Sequence, residues 1–473
     1  MIKFLLNHAS KNPVSFHMPG HKGTDIFRRY GYGDFLDRFV DCDITEIPGA
    51  DNLFQAEGII METQNKYRDL YGVKNSYLMI NGTSGGIIAS ILATVKPGNK
   101  LIMARNCHKS VFNGLTLGNI QPVYARPELI EEHGILGRVT PEEIQRCIDE
   151  NPDADAVILP SPNYYGICSD IEKIAEVVHK AGKVLIVDQA HGAHLEFFQK
   201  FGCGDAMPKS AEASGADLVI NSIHKTLASL TQSAVLNLNS DRVDRYTLED
   251  KIQAIESTSP SYVLMSFLDM NADLLLNHGR EAMSAWRDNL DYFYAKARNI
   301  EGLKLLQTED MDFSKINIDS TNLGIDGGRL EELLMERGIY TELHTGNILM
   351  LMTGIGNTRE HMDRTLSALA EISGSLIGKD NLAQADRLEL NRPTIPQPGK
   401  LHSIPRDKEY VPLDKGVGRI CAGSLIPYPP GIPAICPGEE IEEDMVEYIL
   451  DLRRAGEKVI GINDRGEILV GRD

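Results

Sequence analysis

The sequence predicts an α/β fold, with a mostly parallel, seven-stranded sheet covered by helices on both faces and a smaller α+β unit after it. Three observations carry this expectation. From about residue 76 onward, short apolar and β-branched runs alternate with helical patterns, the order expected of strands buried on both faces. Helix-start signals stand between those runs. The 473 residues are 42% hydrophobic and 24% charged, the makeup of a soluble globular protein, and their number suits about two to four domains.

Taken in order, the expected strands are 76–81, 100–104, 121–124, 154–160, 183–188, 217–222 and 233–238. Between them, Thr140-Pro-Glu-Glu143 reads as a capping box with proline at the first helical position, opening a helix that runs to about Glu150. Asp170 caps the run IEKIAEVVHKAG in the same way, and Gly182 ends it. From about residue 266 to 298 the pattern is long and helical, carrying the chain out of the first domain. Beyond residue 300, IEGLKLL, FSKINI, LEELLMERGIY and ILMLMTG predict the smaller unit, followed by a helix near 358–376. A polar, proline-rich stretch over 390–412 then crosses back to IPYPPGIPAICPG. No internal repeat is visible.

Composition excludes several function classes. Lys and Arg total 48 against 67 Asp and Glu, a net charge of -19, which repels nucleic acid and anionic membrane surfaces. No apolar run approaches the roughly 18–20 residues of a spanning helix. The opening MIKFLLNHASKNPV has a short apolar stretch before His8, so a cytoplasmic address is expected. The seven cysteines are scattered, without a C-x-x-C pair, and indicate neither a disulfide framework nor a zinc ribbon.

Three features carry chemistry. In INGTSGG, between a strand and a helix, Thr83, Ser84 and Gly85 place hydroxyls and backbone N–H groups at a helix N-terminus, where an anion is favoured. The lysine-bearing P-loop pattern is absent, and a tight turn explains the glycines equally well. VLIVDQAHGAH sets Asp188 at the C-terminal end of an apolar strand, where open α/β sheets bind their ligands; a loop-capping aspartate is the plain alternative. LVINSIHKTLASLTQS sets His224 and Lys225 just beyond another strand. A lysine there can form an imine with an aldehyde cofactor if its ammonium is destabilised, or be a solvated loop residue. A phosphate cup, a carboxylate for a ring nitrogen and an imine-forming lysine are together what pyridoxal 5'-phosphate needs. RNCHKS adds His108, placed to lie against a cofactor ring. The competing reading is a metal site built from Asp188, His191, His194 and His224. It leaves Lys225 and the glycine-rich cup without roles.

These residues, with SFHMPGHKG (15–23), DITEIPGADNL (43–53), ESTSPSY (256–262) and IPYPPGIPAICPGE (426–439), occur in an order through almost the whole chain that resembles the Orn/Lys/Arg decarboxylase family. These are fold-type I pyridoxal phosphate enzymes with an aspartate-aminotransferase-like large domain. The resemblance implies that Lys225 holds the cofactor through an imine, Asp188 keeps its ring nitrogen protonated, His108 stacks on one ring face and Ala190 packs on the other. It further implies that Thr83, Ser84, Ser222 and His224 bind the phosphate, joined by Ser257 from a partner subunit, hence a homodimer with shared active sites. The proton donor to the carbanion is Lys225 or His224. The implied organisation is an N-terminal segment at 1–60 contributing to site and dimer, a cofactor-binding domain at 61–300 and a small α+β domain at 301–473.

The larger family members carry an additional N-terminal domain used in assembling higher oligomers. Here the first motif begins at Ser15, so the chain is similar to the short bacterial branch and a decamer is not expected. The expected reaction is decarboxylation of a basic amino acid, arginine to agmatine first, with lysine or ornithine as alternatives and another lyase or aminotransferase behind them. A non-enzymatic binding protein on this scaffold is disfavoured because Lys225 and Asp188 are both present. A cationic substrate needs an acidic partner. Glu439 and Glu46 are the candidates within the motifs, with Asp51 beside them. The reaction suits polyamine synthesis or acid resistance.

Overall fold

The apolar runs of the first 240 residues pair into one sheet. In the computed structural model, which describes residues 1–376, 399–428, 432–454 and 458–472, the strands are β1 (Asn75–Met79), β2 (Lys100–Ala104), β3 (Gln121–Ala125), β4 (Ala154–Pro160), β5 (Val184–Asp188), β6 (Leu218–Asn221) and β7 (Ala234–Leu238). Their spatial order is β1-β7-β6-β5-β4-β2-β3. All neighbours run parallel except β7, which is antiparallel to both β1 and β6. The predicted α/β class and seven-stranded sheet are therefore present.

The first strand stops two residues short of its expected end. Asn81 leaves the extended conformation and Gly82 turns at φ +70°, a left-handed geometry that glycine adopts without a Cβ clash. Helix α1 (Gly82–Thr94) starts there, which brings Thr83 and Ser84 into its first turn. The capping residues behave as their spacing predicts. Thr140 accepts from the Glu143 N–H ahead of α2 (Pro141–Glu150), and Asp170 accepts from the Lys173 N–H ahead of α3 (Ile171–Lys180).

On the face of the sheet that α1 covers, Ile186, Ile220 and Leu236 form a core with Ile87. The other face packs with the 36-residue helix α4 (Tyr262–Ala297), whose Leu268, Leu275 and Trp286 are buried. That second core extends without interruption into a four-stranded antiparallel sheet made of β8 (Lys304–Leu306), β9 (Lys315–Asp319), β10 (Leu343–Thr345) and β11 (Ile348–Met352), in the order β8-β9-β11-β10.

The start of the chain is woven into this smaller unit. Val14 and Ser15 pair in parallel with Ile339 and Tyr340, and the Phe16 carbonyl accepts from the Met352 N–H. Residues beyond 399 build a separate core around Leu413, Cys421, Ile441, Ile449 and Ile468, apart from the clusters that the sheet of β8 to β11 shares with the rest of the chain. Pro429, Pro430 and Gly431 of the last proline-rich motif, and residues 390–398 of the stretch before it, lie outside the described residues. Among the described residues no helix is long and apolar enough to cross a membrane. The seven cysteines are free thiols, five of them buried.

Candidate active site

The C-terminal ends of the parallel strands open onto a cavity of about 370 Å3. Helix α1, following β1, brings Thr83 and Ser84. Residue His108 follows β2 and caps a helix over Lys109–Gly118 through its ring nitrogen. Asp188 is the last residue of β5. A four-residue helix, Ile223–Thr226, follows β6 and carries His224 and Lys225. Ala190 and Ser222 complete the group, so eight of the residues singled out from the sequence line one cavity.

The lysine helix is gripped from outside the sheet. Gly20 of the first motif donates its N–H to the His224 carbonyl at 2.7 Å. A Cβ on Gly20 would fall 2.4 Å from the Thr226 carbonyl carbon, so only glycine permits this approach. On the other side of that contact, the Ile355 N–H donates to the Thr226 carbonyl.

Burial governs the electrostatics. It depresses the Lys225 ammonium; Asp188 and Glu342 favour the charge, while Lys315 opposes it. Lys225 Nζ lies 2.9 Å from His191 Nε2 and 5.8 Å from the centre of the Tyr164 ring. Burial pushes the Asp188 carboxyl up against the pull of Lys225, and its Oδ1 accepts from the Ala190 N–H at 3.1 Å. His108 and His224 are both pushed down to about 4, chiefly by burial. His224 Nδ1 faces the Ser233 carbonyl at 2.9 Å and must donate to it, which leaves Nε2 as an acceptor. His108 Nδ1 accepts from the Ser110 N–H at 3.3 Å. Thr83 and Ser222, from different elements, bring their hydroxyl oxygens within 3.4 Å of each other.

Other expected residues are not brought into the cavity. Gly85 is buried on the inner side of α1, its N–H directed at the Asn81 carbonyl and its Cα facing Ile255. Ser257 is exposed and caps its own turn by accepting from the Ser259 N–H. Glu46 is exposed. Asp51 accepts from the Glu57, Gly58 and Ile60 N–H groups, holding the loop before the helix over Ile59–Tyr71. Glu439 corrects the expectation of a substrate contact. Only 1% exposed, it takes two hydrogen bonds from Arg105, each 3.0 Å, and one from the Cys436 N–H at 2.7 Å. The metal reading does not assemble. His194 turns away to Asp312 and Thr226, and among the described residues no cluster of metal-ligating side chains is found.

Glu342 lines the cavity as a second acidic residue beside Asp188. Its Oε2 accepts from the Met18 N–H of the first motif at 3.0 Å, and burial raises its carboxyl. Sequence reasoning missed it because it sits in an unremarkable run, GIYTEL; an acid between short apolar strands was the available signal. His191, considered only as a metal ligand, is instead the neighbour of Lys225.

The donor set fits pyridoxal phosphate. Hydroxyls at a helix N-terminus, a buried carboxylate and a destabilised amine line one cavity. Two buried polar atoms in the wall, His191 Nδ1 and Asn106 Oδ1, have no protein partner.

Comparison with known proteins agrees. The family model described as "Orn/Lys/Arg decarboxylase, major domain" matches residues 1–318, and that described as "Orn/Lys/Arg decarboxylase, C-terminal domain" matches residues 386–465. Arginine decarboxylase of Halalkalibacterium halodurans is 34% identical over 476 residues, spanning 97% of this chain and 94% of that protein. Arginine decarboxylase of Bacillus subtilis is 33% identical with the same coverage. Among solved structures, the constitutive lysine decarboxylase of Escherichia coli matches with a TM-score of 0.76 at 18% identity, covering 96% of this chain and 79% of that one. That match speaks to the fold. With both family models matched in order, together spanning most of its length, the chain belongs to the Orn/Lys/Arg decarboxylase family.

Proposed function

We propose that this protein is a cytoplasmic, homodimeric, pyridoxal phosphate-dependent decarboxylase that converts arginine to agmatine and carbon dioxide. The observation that carries the reading is the convergence of Lys225, Asp188 and the Thr83–Ser222 hydroxyl pair on one cavity. The arginine assignment is supported by relatives of that name at 33–34% identity. When bound, pyridoxal phosphate supplies an aldehyde that condenses with amines and a ring that accepts the electron pair left by departing carbon dioxide.

The chain's own residues do the rest. Burial lowers the Lys225 ammonium and so favours the free amine, the nucleophilic form. Asp188, buried without a full counter-ion, is stabilised by a protonated ring nitrogen and in turn holds that proton in place. His108, neutral and flat, and Ala190 bound the two ring faces. Thr83, Ser84, Ser222 and His224 hold the phosphate, with Ser257 of each protomer, exposed in the isolated chain, reaching the partner's cavity. Lys225 would return a proton to the substrate Cα, with His191 Nε2 2.9 Å away to exchange it. Glu342 faces the guanidinium, a fork-shaped cation that a carboxylate can meet with two hydrogen bonds.

The test is mass-spectrometric detection of amines after the purified protein and pyridoxal phosphate are incubated separately with arginine, lysine and ornithine. Agmatine is expected. Cadaverine or putrescine alone would move the assignment to lysine or ornithine, and the absence of any amine would refute the decarboxylase reading.

A further inference from the structure

We propose that Lys315, held by Asp312 and Ser314 with His194 behind them, is a positioning residue that fixes Lys225 and His191 relative to each other and keeps a second positive charge behind the reacting amine. The proposal rests on the reading of Lys225 as the amine that holds the cofactor.

The geometry is a closed circuit that leaves the large domain and returns to it. Lys225 Nζ lies 2.9 Å from His191 Nε2. The His191 carbonyl accepts from Lys315 Nζ, at the start of β9 in the smaller unit. Lys315 also donates to Asp312 Oδ2 at 2.7 Å and to Ser314 Oγ at 3.2 Å. Asp312 Oδ1 accepts from the Ser314 N–H at 2.9 Å and lies 3.1 Å from His194 Nε2. His194 Nδ1 and Thr226 Oγ1 are 3.2 Å apart, and Thr226 follows Lys225 in the chain. A carboxylate against Nε2 makes that nitrogen the protonated one, so Nδ1 accepts from the Thr226 hydroxyl. The lysine helix is thus tied to the smaller unit from both ends of the circuit.

Two observations separate this from an ordinary structural ion pair. Lys315, Asp312 and His194 are completely buried, where an apolar residue of similar volume is often at least as stabilising. One of the three acceptors of Lys315 is also the backbone of the residue in contact with Lys225. The titratable groups facing Lys225 are Asp188 from β5, His191 and Tyr164 from the adjoining loops, His108 from a helix start, and Glu342 and Lys315 from the smaller unit. Burial keeps His108 and His191 neutral. Asp188 and Glu342 favour an ammonium at Lys225, and Lys315 works against it.

The test uses Lys315→Met and the paired Lys315→Met/Asp312→Asn, which removes the carboxylate that the single change leaves unpaired. In cofactor-free protein, the pH midpoint for acylation of the Lys225 amine, read by peptide mass spectrometry, is expected to rise by about one pH unit. In holoenzyme, kcat is expected to fall roughly tenfold while KM stays nearly constant, and the absorbance titration of the lysine-bound cofactor moves upward with the labelling midpoint. A merely structural role lowers the thermal midpoint and leaves both titrations unmoved; that result in either folded variant overturns the proposal. Lys225→Ala separates the two readings. If it still forms the lysine-bound chromophore, the cofactor reading fails and this proposal with it. Loss of that chromophore, with labelling unmoved in the Lys315 variants, leaves the cofactor reading standing and removes only this one.

Discussion

Two buried charge clusters lie on either side of β2 and differ in how completely they are paired. Around Arg105, at the exit of β2, every guanidinium nitrogen has a partner. The guanidinium gives two bonds to Glu439, one to the Pro433 carbonyl and one to the Ala434 carbonyl, and stacks 5.3 Å from the Tyr124 ring centre. Around Lys225 the charges are left short. The amine has a neutral imidazole as its neighbour, Asp188 accepts from a single N–H, and His191 Nδ1 has no partner. Full pairing joins the C-terminal core to the sheet. Deliberate shortfall leaves groups whose protonation a ligand can change, which is how perturbed groups mark reactive sites.

The sharpest way to break this comparison is Lys225→Ala. Turnover should fall by roughly a thousandfold or more, with an unchanged thermal midpoint and dimer on gel filtration. Retained turnover would refute the imine assignment.

Arg105→Met should do the reverse. Stranding Glu439 in a buried site costs roughly 3–5 kcal/mol, read as a lowered unfolding midpoint, while the lysine-bound chromophore persists. The double change Arg105→Met/Glu439→Leu should recover much of that loss. If the chromophore disappears in the folded single variant, the Arg105 cluster is part of the site and the contrast fails.

Glu342→Gln is the next in size. Removing one charge-assisted contact worth about 1.5–3 kcal/mol should raise KM for arginine roughly 10- to 100-fold, with a smaller change in kcat. An unchanged KM would remove Glu342 from substrate recognition.

The smallest effect is expected at Glu256, a carboxyl that is unmatched yet off the cavity. Its Oε1 accepts from the Asn81 N–H, its Oε2 has no partner, and burial raises it to about 7 from an ordinary 4.5. Since the folded value is the higher one, its contribution to stability is fully present below pH 4.5 and is lost as pH rises through 7. Glu256→Gln cannot ionise, so it should match the parent at pH 4.5 and unfold a few degrees higher at pH 8. Equal midpoints at both values would mean that the carboxyl titrates alike in the folded and the unfolded chain.

Much of the fold was legible because each strand of the main sheet is a short apolar run with a capping or glycine signal after it, and period and punctuation are local. β2 and β4 coincide with their expected bounds for this reason. The cavity-lining residues were legible for a related reason, since strand ends of one sheet converge on the same edge. Glu342 and Lys315 were not, because they come from the smaller unit and reach the site only through tertiary packing. Glu439 shows the opposite failure. It sits inside a motif, but its oxygens belong to Arg105, and nothing in the spacing of IPAICPGE tells a paired acid from a free one.

The weaving of Val14 and Ser15 onto Ile339 and Tyr340 has a consequence during synthesis. At translation rates of roughly 5–20 residues per second, the opening segment waits on the order of 20–70 s for the strand it joins and for Met352. Until then Gly20 has no Gly354 to pack against, and Phe4, Leu5 and Leu6 stand open to solvent as they do in the finished fold. The pocket can therefore close only after more than two thirds of the polypeptide has been made, so a nascent chain stalled earlier holds the lysine without the clamp that aims it.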